Sequence, residues 1–160
     1  MAWQWIRGFD SLSLADVALV GGKNASLGEL WRALQPQGVR VPEGFAITAA
    51  AYRHFLTEAG LEPRLREILR GRQVGDAQDA VDRSATIREL LLAAPLPADL
   101  TREVLQAYHH LSLEAGCDTL DVAVRSSATA EDLPNASFAG QQESYLHVRG
   151  PADVLASVRR

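Results

Sequence analysis

The sequence predicts a helix-rich α/β (α+β) fold with a small sheet, and three observations carry the prediction. Apolar residues recur at helical spacing in several separate stretches of the 160-residue chain. Short β-branched and apolar runs at 45–48, 120–124 and 144–148 read as strands. Hydrophobic residues make up 47% and charged residues 22%, the balance of a globular chain with a real core and not of a disordered one.

Taken in order, the first strong element follows Gly21-Gly22-Lys23. Leu27, Leu30, Trp31 and Leu34 stand at i, i+3, i+4 and i+7, one face of a helix running from about Asn24 to Leu34. Ser26 and Glu29 have capping-box spacing, and Pro36 with Gly38 stops the helix. "VRVPEGFAIT" reads as an extended piece, a turn at Pro42-Glu43-Gly44 and a strand. Thr48 can cap a second helix that places Tyr52, Phe55, Leu56 and Ala59 on one face and ends at Gly60.

Leu65, Ile68 and Leu69 predict a short helix, and Ala80 to Leu91 a longer one. Leu100, Val104, Tyr108 and Leu111 predict a third that begins at Pro97. This middle region reads as scaffold. Leu120–Val124 has the length and β-branched content of a buried strand, Ser144–Val148 of a second, and a last helix opens at Pro151. That helix reaches Arg160 without a stop signal, so 1–160 reads as part of a longer chain. Trp3, Trp5 and Phe9 are expected to anchor the amino-terminal segment to the core.

Several function classes are disfavoured. A net charge of −4 argues against a nucleic-acid backbone as the main partner, while leaving room for a local basic pocket. One cysteine, Cys117, has no second to pair with inside the chain, which reads as cytoplasmic. Met1 to Asp10 carries Gln4, Arg7 and Asp10 instead of a signal-peptide core, and no apolar run approaches the roughly 20 residues that span a bilayer.

Three features point to phosphate. Gly21 and Gly22 allow a tight turn and a close approach to a ligand, the helix that follows aims its amides and positive dipole end at the same place, and Lys23 adds a full charge. The alternative is a turn with a solvated lysine. Arg125 leads out of the 120–124 run into Ser126 and Ser127, a position that suits an anionic ligand beyond a strand end. The alternative is an ion pair with Asp121, Glu131 or Asp132. The long loop that follows holds Gly140 between the Ser137 and Ser144 hydroxyls, a segment able to fold over a polyphosphate. The alternative is a long hairpin connection. Glu131 and Asp132 have no third ligand at credible spacing, and no metal site is assigned. His54, His109, His110 and His147 read as structural or solvent-facing.

"VGGKNASLGEL" at 20–30, "VPEGFAIT" at 41–48 and "VRSSATAEDLPNASFAGQQESYL" at 124–146 closely resemble, in order and spacing, the amino-terminal nucleotide-binding region of phosphoenolpyruvate synthases. Pyruvate phosphate dikinase and rifampicin phosphotransferase are more distant relatives with the same type of domain. The resemblance implies the first lobe of an ATP-grasp domain, in which two lobes hold ATP between them. The family lysine carries over to Lys23 and the family arginine to Arg125, both on ATP phosphates, with Gly21 and Gly22 beside them. The family's glycine loop carries over to Ser137 through Ser144, with Gly140 approaching the phosphates.

Ser144 stands where relatives generally have threonine, so a hydroxyl is kept and the rotamer-restricting methyl is lost. The implied activity is phosphorylation of pyruvate by ATP through a phosphohistidine, giving phosphoenolpyruvate, AMP and phosphate. Adenine contacts, Mg2+ ligands, the phosphorylated histidine and the pyruvate site are expected beyond residue 160. The implied partners are ATP and, through downstream domains, pyruvate, with a homodimer of the full-length enzyme as a candidate assembly. The chain alone is expected to be inactive, with its 124–145 loop mobile or non-productive. The alternatives are a non-catalytic nucleotide-binding module and the ATP-binding lobe of a rifampicin-type antibiotic phosphotransferase.

Overall fold

The structure, a computed structural model, describes residues 3–71, 76–129 and 143–160. It starts with strand β1 (Ile6–Gly8), a 3₁₀ turn at Phe9–Ser11 and a second at Leu14–Asp16 that leads into the one-turn helix α1 (Val17–Val20). Helix α2 (Gly22–Leu34) follows after a single glycine. Strand β2 (Phe45–Ile47) then returns to pair antiparallel with β1, Ile6 opposite Ile47 and Gly8 opposite Phe45. The helical middle comprises α3 (Ala49–Glu58), α4 (Glu62–Leu69), α5 (Ala77–Ala93) and α6 (Ala98–Glu114). Strands β3 (Asp121–Arg125) and β4 (Ser144–Arg149) form an antiparallel hairpin, and α7 (Pro151–Arg159) closes the chain.

The fold is therefore α+β, and among the described residues the expected small sheet is two separate two-stranded antiparallel sheets. Two strands are marginal by themselves and must lean on helices. Here β1 and the β3–β4 hairpin share one core, in which Ile6, Ala51, Leu100, Val104, Tyr108, Val148 and Val154 are buried together. A second cluster, Leu12, Val20, Ala25 and Ala46, holds the start of α2, and a third gathers Phe55, Leu61 and Ala94. Gly28 is what lets α2 lie on Leu12, since a Cβ there would stand 2.5 Å from the Leu12 Cβ and 2.7 Å from its carbonyl oxygen.

Local chemistry explains most boundaries. Thr48 caps α3 as expected, its Oγ1 accepting from the Ala51 N–H at 3.3 Å. Asp76 caps α5 through the Gln78 and Asp79 amides. The capping box lies elsewhere than expected: α2 begins two residues before Asn24, with Gly21 as its N-cap, so Ser26 and Glu29 fall inside it. The reciprocal pair is Ser13 with Asp16, which the same four-residue spacing announces.

The amino-terminal segment is anchored as its aromatics suggest. Glu103 on α6 accepts from the Gln4 and Trp5 amides at 3.0 and 2.8 Å, and Trp5 stacks on His54 with centroids 4.5 Å apart.

Strand β3 departs from the expected buried strand. Only Val122 and Val124 turn inward, while Asp121, Ala123 and Arg125 are exposed, because helices cover one face of the hairpin. Its ends near α6 are fixed by one hydroxyl. Tyr108 Oη donates to the Leu120 carbonyl at 2.7 Å and accepts from the Gly150 N–H at 2.9 Å. Buried Ser112 adds a bond from the Leu120 N–H at 3.1 Å.

Candidate functional site

The site is built where the beginning of α2 meets the end of β3. Gly21 has φ +81°, a backbone state that L side chains rarely adopt, and it serves as the C-cap of α1 and the N-cap of α2. A Cβ on Gly21 would collide with Ser127 Oγ and stand 2.8 Å from the Ala128 carbonyl oxygen. The missing side chain thus creates the notch in which the residues just past β3 are seated.

Two of the amides at the start of α2 face protein acceptors at long range. The Gly22 N–H donates to the Ala128 carbonyl at 3.4 Å and the Asn24 N–H to Ser127 Oγ at 3.5 Å. Distances at this limit mark weak bonds. The Asn24 side chain turns back to the Val20 carbonyl at 2.9 Å and tightens the turn. In this arrangement the glycines act first as packing residues. The positive side chains carried on either side of the contact are half-buried Lys23 on α2 and exposed Arg125 on β3.

Arg125 is solvent-facing, contrary to the impression its apolar approach gives. Its Nε donates to Ser144 Oγ at 3.2 Å, straight across the hairpin from its register partner. Asp121, one of the partners considered for it, pairs instead with His147 at 3.4 Å. Glu131 and Asp132 lie outside the described residues, as do Ser137 and Gly140 and the expectation about the loop that holds them. Of the residues assigned from sequence, the structure describes Gly21, Gly22, Lys23, Arg125 and Ser144; it joins Gly21 and Gly22 to the segment past β3 through Ser127 and Ala128, and Arg125 to Ser144, with Lys23 the next residue along α2.

Ser127 and Ala128 are the part that sequence reasoning missed. They lie 103 residues or more from the amides they meet, and no local pattern announces such a contact.

The histidines take structural or surface positions. His54 pairs with Asp99 at 3.0 Å, His110 with Glu114 at 3.3 Å, and His109 is exposed on α6. A cleft of about 640 Å³ opens on another part of the molecule, between the Trp3–Ser11 segment, Trp31 and α6, and Lys23 and Arg125 do not line it. Among the described residues no three His, Cys, Asp or Glu side chains gather into a cation site, and no helix is long and apolar enough to cross a membrane.

Comparison with known families bears directly on this geometry. The family described as pyruvate phosphate dikinase, AMP/ATP-binding domain, matches residues 17–160, a span that includes both halves of the contact. The chain belongs to this family. As an AMP/ATP-binding domain it is similar along nearly its whole length to much longer proteins. It is 45% identical over 156 residues to the phosphoenolpyruvate synthase of Helicobacter pylori, with 98% of this chain covered. It is 47% identical over 156 residues to that of Synechocystis, with 95% covered, and 46% identical over 150 residues to that of Aquifex aeolicus, with 94% covered. The chain spans 18 to 19% of the length of these relatives.

Proposed function

We propose that this chain is the first lobe of an ATP-grasp domain and the N-terminal part of a cytoplasmic phosphoenolpyruvate synthase. The full-length enzyme would use ATP and water to phosphorylate pyruvate by way of a phosphohistidine, both phosphoanhydride bonds being broken so that AMP and one free phosphate are released. The observation that carries the reading is the seating of Ser127 and Ala128 in the Gly21 notch, which puts the Lys23 helix and the Arg125 strand on one ledge. The names of the relatives favour the synthase over an antibiotic phosphotransferase.

On this reading the lobe's part in the chemistry is electrostatic. Phosphoryl transfer has a loose transition state whose charge spreads over the phosphate oxygens, and catalysis is largely positioning and neutralisation. Lys23 supplies a compact ammonium and Arg125 a planar fork that can meet two oxygens at once. The Ser144 hydroxyl accepts from Arg125 Nε and so helps to orient the guanidinium. On this reading the cations that this lobe contributes to neutralisation are Lys23 and Arg125.

Arg125→Ala in the full-length protein tests the assignment. We expect ATP-dependent histidine phosphorylation to fall by about 10³-fold or more, the scale on which a transition-state arginine acts in phosphoryl transfer. Activity within a few-fold of the parent would overturn the reading.

A further inference from the structure

We infer that Ser127 is a positioning residue for this reaction, the part that sets how far Lys23 stands from Arg125. The inference rests on the reading that these two cations meet the phosphates of ATP, and it concerns a side chain that need not touch ATP.

Two elements from opposite ends of the chain carry the two cations, and the described contacts that join them are few. Ser127 lies two residues beyond Arg125, so its backbone continues the strand that bears the guanidinium. Its hydroxyl enters the space left by Gly21 and faces the Asn24 amide, so Lys23 lies in sequence between the α2 cap and the α2 residue that Ser127 meets. The Ala128 carbonyl takes the neighbouring Gly22 amide at 3.4 Å. Helix α2 has no side-chain cap of its own, because Gly21 occupies the capping position, and Ser127 supplies a hydroxyl there from 103 residues away.

The joint is tight on the helix side. Gly21 is buried and held at φ +81°, and any side chain there would press on Ser127 Oγ and on the 127–128 backbone. Past Arg125 the chain has left the β3–β4 ladder, and Ser127 and Ala128 then meet the start of α2 at this seat. A change in the seat therefore appears as a change in the spacing of the cations. An error of about 1 Å in the placement of such groups can cost on the order of 100-fold in rate.

The test uses the full-length protein, with phosphohistidine formation measured in a single turnover at saturating ATP and ATP affinity measured by calorimetry. Ser127→Ala is expected to slow transfer by about ten-fold or more while ATP affinity changes by less than about three-fold, the signature of an interaction that matters in the transition state. Gly21→Ala should slow transfer by about 100-fold. Adding Ser127→Gly to Gly21→Ala should restore part of that rate, because it removes the side-chain half of the collision, although Ser127→Gly alone should slow the parent. That reversal of sign is not expected of a residue that only stabilises the fold.

A parent-like rate in Ser127→Ala, or a rate loss matched by an equal loss of ATP affinity, would overturn the inference. Should Gly21→Ala fail to fold, Ser127→Ala still decides the matter, since it removes one partly buried hydroxyl. Arg125→Ala separates the two levels. If Arg125→Ala is disabled and Ser127→Ala is not, only the positioning role fails; if Arg125→Ala is fully active, the parent reading fails and takes this inference with it.

Discussion

Single residues in this chain do more through hydrogen bonds than through charge count. Asp99 accepts from His54 Nε2 at 3.1 Å, from the Leu100 amide at 2.9 Å and from the Trp5 indole at 3.4 Å. Its carboxyl is held below the ordinary carboxylate range, chiefly by the His54 hydrogen bond, with burial opposing and the Leu100 and Trp5 donors assisting. A carboxyl more acidic in the folded than in the unfolded state stabilises the fold above its unfolded pKa, near 3.9, and that contribution is lost as pH falls through the folded value.

The Asp99 side chain is 42% exposed, so solvent screening keeps the contribution below about 1 kcal/mol. We predict that Asp99→Asn lowers the melting temperature by about 1–3 °C at pH 7 and that the difference closes below about pH 3, read by thermal melts across that range. A difference that persists unchanged at pH 3 would show that the hydrogen bond contributes nothing through ionisation. His147 shows another effect at this scale. It sits at φ 57° where β4 has one residue more than β3 between Val122 and Val124, a bulge that a histidine fits better than a β-branched residue would.

At the scale of elements, helix α6 organises the molecule. Its Glu103 holds the amino-terminal amides, and Leu100, Val104 and Tyr108 form the floor under the hairpin. The Tyr108 hydroxyl serves Leu120 and Gly150 at once, while its ring is 3% exposed. We predict that Tyr108→Phe destabilises the fold by about 1–3 kcal/mol in denaturant melts, because it strands one carbonyl and one N–H without changing the packing. A loss below the error of the melt would mean that water replaces the hydroxyl.

Helices of this kind were legible in the sequence because their signals are local. The i, i+3, i+4 spacing of Leu100, Val104, Tyr108 and Leu111, and the Thr48 cap, are facts about neighbours along the chain. Strand β1, three residues long, offers no period to read, and the exposure of Arg125 depends on which hairpin face α6 and α7 cover. The Glu103 bonds span 98 and 99 residues and the Ser127 contact 103, so no spacing rule could announce them. The candidate cations were legible for a different reason: Lys23 and Arg125 stand in motifs long enough to resemble a family, whereas the residue seated between their elements is one serine among several.

For the whole molecule, the site is one-sided. Lys23 and Arg125 project from two elements joined at one edge, and the chain corresponds to under a fifth of each relative compared. If, as proposed, the chain supplies only part of a nucleotide's surroundings, it should bind it weakly. We predict that the 160-residue chain alone binds ATP with a Kd of about 1 mM or weaker, near 4 kcal/mol, in calorimetry, and forms no AMP. Turnover by the chain alone would show that it already holds a complete site.

The bond network at Tyr108 has a mechanical side. The hairpin is clamped by one oxygen where β3 begins and β4 ends, and it carries Arg125 at the far end, four residues away or about 14 Å at strand rise. A beam held in this way turns angle into distance: a tilt of about 4° at the clamp moves the tip by about 1 Å, the displacement at which transfer chemistry begins to fail. Buried in the core, the phenol is thus one pivot of a lever that carries Arg125, with the Ser127 seat at the other end; on the proposed reading, part of the accuracy of the guanidinium is decided a hairpin's length from the nucleotide.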